Sequence, residues 1–81
     1  MGKLSKNEVE VALAEAGRLR ESGEDEFFIG RALLNSHHRL QLLDEVYRAA
    51  SAYMRGGESA QLHTRLVRAL EIYRRYDEAA G

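Results

Sequence analysis

Two adjacent histidines, His37 and His38, are the side chains in this sequence best suited to hold a metal ion or pass a proton near neutral pH. Their spacing works against it. Consecutive residues of a helix point about 100° apart, so the pair cannot close on one ion. Helical ligand pairs stand at i and i+3 or i+4, and neither histidine has a His, Asp or Glu there; Asp44 and Glu45 lie too far along the axis. His63 is expected near Ser51, away from both. No metal site is expected within one chain, and added zinc is not expected to raise its melting temperature.

Nucleophilic chemistry fares no better. Ser5, Ser22 and Ser59 sit where helix ends are expected, and capping accounts for them. Ser36 and Ser51 have histidines near them, but no third group completes a triad. There is no cysteine, which excludes thiolate nucleophiles, thiolate zinc sites and disulfides. Glycines occur singly or as one pair, so no loop cradles a phosphate. The expectation is a protein that is not an enzyme, with no cofactor, no metal and no catalytic residues.

The arginines allow a binding role. From residue 39 to residue 75 there are seven arginines and four acids, a balance of +3, while the preceding stretch carries five bases and seven acids. On a third helix, Gln61, Arg65, Arg68 and Arg75 fall on one face, where phosphates could be met. Glu71 interrupts that face, no lysine accompanies it, and the whole chain balances to −1. Nucleic acid is therefore the alternative partner and not the expected one. A helix-turn-helix over residues 28–46 is also set aside, because the second helix would spend its leucines on packing and present Asp44 and Glu45 to phosphates.

The elements that position these residues are all helices. Ser5 and Glu8 have the spacing of a capping box, Leu4 and Val9 that of a hydrophobic staple, and Ser22-Gly23 is a stop, which predicts a helix over about 5–22. Asp25 can cap a second helix that runs to about residue 55 with no proline to break it. Apolar positions recur there in steps of four and three through Ile29, Leu33, Ser36, Leu40, Leu43, Tyr47, Ala50 and Met54. A second stripe runs beside it through Phe28, Ala32, Asn35, Arg39, Leu42, Val46, Ala49 and Tyr53. The phase is unchanged across Asn35-Ser36-His37-His38, which predicts one continuous helix rather than two. Gly56-Gly57 makes a turn, and a third helix covers about 59–78 with Leu62, Leu66, Ala69, Tyr73 and Tyr76 inside and a frayed tail after Tyr76.

The fold class is thus all-α: three antiparallel helices in a single domain over residues 1–81, with a long central helix. Around Gly23, facing residues should have numbers summing to about 47, and around Gly56-Gly57 to about 114, each within one turn. Phe28 then meets Leu19, Leu13 meets Leu34, Tyr76 reaches His38, and Gly17 lies opposite Gly30 in a close crossing. A chain of 81 residues supplies little core, and dimerisation is the expected remedy. Phe27, left pointing away from both hairpin partners, is the expected subunit contact, with Phe28, Arg31 and Leu34 around it. The functional expectation is a small helical interaction module of bacterial type in the cytoplasm. It would self-associate as a homodimer and bind a protein partner by helix packing. No run of about 18 apolar residues is present to span a membrane, and no secretory signal is visible.

Overall fold

A computed structural model describes residues 2–56 and 59–80. They form three helices, α1 (Lys6–Ser22), α2 (Ile29–Gly56) and α3 (Ala60–Ala80), with no strand among the described residues. Their packing divides into two compact units, Met1–His37 and His38–Gly81, and α2 contributes to both.

Local chemistry sets the ends of α1. The Glu8 amide donates to Ser5 Oγ at 3.1 Å, and the Ser5 amide donates back to Glu8 Oε1 at 2.7 Å. This is the capping box read from the sequence. The Ser5 amide, and then its hydroxyl, hold the Glu8 carboxyl below the usual carboxylate range. Leu4 remains exposed, so the expected staple against Val9 gives it little cover. At the other end Gly23 adopts φ 76°, which lets its own amide and that of Glu24 reach back to the carbonyls of Arg20 and Leu19.

The start of α2 differs from the expected position near residue 25. Residues 26–28 form a turn, closed by the Phe28 amide donating to the Asp25 carbonyl at 3.1 Å. Asp25 does cap α2, but across that turn: Oδ1 accepts from the Gly30 amide at 2.8 Å and Oδ2 from the Arg31 amide at 2.9 Å. Both carboxylate oxygens thus satisfy first-turn donors at the positive end of the helix. The geometry requires Phe28 at φ 60°, a left-handed conformation that bulky residues seldom adopt. Asp25→Ala should cost about 1–2 kcal/mol in chemical denaturation, since it removes two capping acceptors. An unchanged midpoint would show that water serves those amides equally well.

Within the first unit, α1 and the start of α2 pack as a hairpin whose contact is made by small residues. Ala16 is 3% exposed and Gly30 is buried beside it. A Cβ placed on Gly30 would stand 2.9 Å from the Ala16 carbonyl oxygen and 3.3 Å from its Cα. The close approach is therefore between Ala16 and Gly30. Gly17, expected to share it, is turned aside, with nothing within 4 Å of a Cβ built there. Leu13, Leu19 and Leu34 are half-buried around the contact. Phe28, expected to pack against Leu19, is 64% exposed on the turn before α2, and Ile29 is 67% exposed.

Within the second unit, α3 folds back on the remainder of α2. The Ser59 carbonyl and hydroxyl accept from the His63 and Leu62 amides, so Ser59 opens α3 as expected. Gly57 and Glu58, part of the expected turn, lie outside the described residues. Ala49, fully buried, and Ala69, 6% exposed, form the centre. Leu42, Val46 and Tyr53 of α2 and Leu62, Leu66, Tyr73 and Tyr76 of α3 are half-buried around them. The hairpin register is the expected one to within a turn: His38 meets Tyr76, Arg39 meets Asp77, Glu45 meets Arg65, and Tyr53 meets His63. The tail does not fray where expected, since Arg39 holds Asp77 at 3.1 Å and α3 continues to Ala80.

Candidate functional site

The histidines stand apart, each occupied by packing. His37 is half-buried in the first unit. In the second, the His38 ring meets Tyr76 edge-on, with centroids 4.9 Å apart at 70°, and Arg39 lies 5.8 Å from the centroid of that same tyrosine ring. His63 lies against Tyr53 with ring centroids 5.9 Å apart, within a turn of the expected level at Ser51. Among the described residues, no group of three His, Asp or Glu side chains could hold a metal ion.

The candidate basic face on α3 is partly neutralised. Gln61, Arg65, Arg68 and Arg75 are all exposed. Arg65, however, reaches across to α2, where Glu45 Oε1 accepts from its Nε at 3.3 Å and from its NH2 group at 3.1 Å. That carboxylate leaves Arg68 and Arg75 as the positive part of the face, with exposed Glu71 beside them. Phosphate contact needs several unpaired cations, and this arrangement supplies few.

The four residues expected at a subunit contact lie on the turn before α2 and on its first two turns. Phe27 and Phe28 project from the turn before α2, 76% and 64% exposed. Arg31 is exposed and Leu34 half-buried. Around the helix axis Arg31 points about 160° away from Ile29 and Leu33, and Leu34 about 100–140°. Phe28 and Arg31 line one hollow at the end of α1, together with Arg20, Gly23 and Asp25.

Exposed apolar side chains also stand on α2 within each unit. Of the two stripes legible in the sequence, the one through Leu42, Val46, Ala49 and Tyr53 takes the cover of α3. The other stays open: Ile29, Leu33, Leu40, Leu43, Tyr47 and Met54 are 67%, 37%, 63%, 38%, 70% and 81% exposed. Ser36, also on that stripe, is exposed, and Ala50 is half-buried. In the first unit Ile29 and Leu33 run on into an apolar hollow between the helices, lined by Ala12, Ala16, Leu19 and Gly30. The signal for this face was present in the sequence as apolar residues spread over more of the helix than the roughly 100° arc that one neighbour covers.

No helix among the described residues is long and apolar enough to cross a membrane. The chain matches no model of a known protein family, no curated protein and no solved structure.

Proposed function

We propose that this chain is a small helical protein–protein interaction module that works by self-association, as a homodimer. One observation carries the reading. Among the described residues the buried hydrophobic side chains are three alanines, and no large side chain is fully buried, while many large apolar ones are exposed. Each buried methylene contributes about 0.8 kcal/mol, so a core of alanines yields little and the open apolar surface holds most of what association could recover. The same reading includes packing against a protein partner through helix faces, with no catalysis. A cysteine-free chain needs no oxidising compartment, which fits a cytoplasmic site of action.

Light scattering on the purified chain from low to high micromolar concentration tests this. The expected mass at the upper end is twice that of the chain. Phe27→Glu, which puts a charge beside Ile29 at the start of α2, should weaken association about tenfold, or about 1.4 kcal/mol, while leaving helicity unchanged. A wild-type chain that stays monomeric at high micromolar concentration would overturn the reading.

A further inference from the structure

The apolar hollow between α1 and the start of α2 lies wholly within the first unit. Ala12, Ala16 and Leu19 wall it on one side, and Ile29, Gly30 and Leu33 on the other. Two alanines and a glycine draw the helices together at Ala16 and leave the space beside that contact unfilled. Glu15, at the rim, keeps its carboxylate on Arg18, whose Nε donates to it at 2.9 Å. Water finds few hydrogen-bond partners in such a space, and an apolar group of matching size is favoured there.

We propose that the hollow takes the Phe27 ring of a second copy of this chain, while the first copy's Phe27 enters the hollow of the second. The proposal rests on the self-association reading and names both halves of its contact. Four observations select this occupant.

Size is the first. The hollow has a volume of about 210 Å³. An apolar cavity of ~150 Å³ admits a benzene molecule, so one phenyl ring fits. The chain's own rings do not fill it, since Phe27 and Phe28 are 76% and 64% exposed.

Place is the second. Leu19 belongs to the last turn of α1 and Ile29 opens α2, so the hollow lies at the end of the hairpin that carries the turn over residues 26–28. Ring and hollow are therefore neighbours on one surface. A two-fold axis between them satisfies both at once and closes the assembly at two chains, whereas a ring remote from its hollow would propagate head to tail.

The third is that the turn is fixed in advance. The Phe28 amide donates to the Asp25 carbonyl, and the Asp25 carboxylate holds the amides of Gly30 and Arg31. A turn tied at both ends loses little freedom when its side chain is bound.

Area is the fourth. Phe27, Phe28, Ile29 and Leu33 are between 37% and 76% exposed. At about 200 Å² for each whole side chain, they offer roughly 500 Å² per copy. The pair then buries about 1,000 Å², the lower bound for a specific interface.

Complementation between two variants tests the proposal. Phe27→Ala removes the ring and keeps the hollow, while Ala12→Leu keeps the ring and fills the hollow. Each alone breaks both contacts of its homodimer and should raise the dimer dissociation constant about tenfold by light scattering. Mixed, they form a pair with one intact contact, the ring of the Ala12→Leu copy in the hollow of the Phe27→Ala copy. With one variant fluorescently labelled, anisotropy should show the mixed pair binding about threefold more tightly than either variant binds itself. Leu33→Gln, at a position 37% exposed, is a second hollow variant that should leave helicity unchanged and complement Phe27→Ala in the same way. A mixed pair no tighter than the separate variants would overturn reciprocal insertion. Hollow variants that dimerise like the wild type would overturn the proposal while leaving self-association standing. A monomeric wild type would overturn self-association and this proposal together.

Discussion

Gly30→Ala is expected to destabilise the protein, while the same substitution one helix away, Gly17→Ala, is expected to stabilise it. Both glycines lie inside or at the first turn of helices, and on propensity alone each change to alanine gains about 1 kcal/mol. Space decides the sign. At Gly17 a Cβ meets nothing within 4 Å, so the propensity gain stands. At Gly30 the Cβ lies 2.9 Å from a backbone oxygen of Ala16 and 3.3 Å from Asp25 Oδ2, so α1 and the Asp25 cap are both pushed. Backbone cannot turn aside as a side-chain tip can, and overpacking of this kind costs about 1–3 kcal/mol. Urea denaturation should therefore separate the two variants by about 2 kcal/mol or more, with Gly30→Leu worse again. Equal stabilisation by both alanines would show that α1 and α2 do not approach closely at Ala16.

Ala49→Leu should have the largest effect of any single apolar substitution in the second unit. Ala49 is fully buried, and Ala69 of α3 is 6% exposed. Where small side chains set the spacing of two helices, three added carbons have no cavity to enter. The helices must separate, and the half-buried residues around Ala49 lose their contacts as well. A cost of about 3 kcal/mol, the upper end for overpacking, approaches the ~3–5 kcal/mol that a core this small supplies. Loss of the cooperative thermal transition at room temperature is the expected result, read by circular dichroism. Leu40→Ala, on the open face of α2, serves as the contrast and should leave the monomer nearly as stable. If Ala49→Leu melts like the wild type, the buried alanine does not set the helix spacing.

Helix ends that depend on neighbouring residues were legible in the sequence, because capping is local chemistry. Ser5 with Glu8, Gly23, and Ser59 each act where their types and spacing suggested. The continuity of α2 through Asn35 and His38 was legible for a different reason: a preserved apolar phase is hard to reconcile with a turn. Register across the second hairpin, down to His38 against Tyr76, follows from short connections alone. What the sequence concealed turns on rotation. A single residue separates Gly17 from Ala16, yet that step of about 100° moves the close contact from one to the other. The same uncertainty hid which of the two α2 stripes takes cover. Phe28 is a separate case, since nothing about a phenylalanine announces a left-handed backbone, and without that conformation Asp25 could not reach over the turn to Gly30 and Arg31. Of the candidate site, the exposure of Phe27 was legible; which of the two α2 stripes stays open was not, because period alone does not distinguish a covered stripe from an exposed one.

The two hairpins also govern how quickly the chain finds its structure. Ala16 and Gly30 are joined across one short turn, and in the second unit Tyr53 and His63 close a much shorter loop than His38 and Tyr76 do. Each helical turn added to a hairpin thus closes a loop already shortened by the last, and loop-closure entropy is spent in small steps. Low contact order of this kind belongs to helical proteins that fold in microseconds to milliseconds. Fast folding is therefore the expected result in stopped-flow or temperature-jump measurements on this chain.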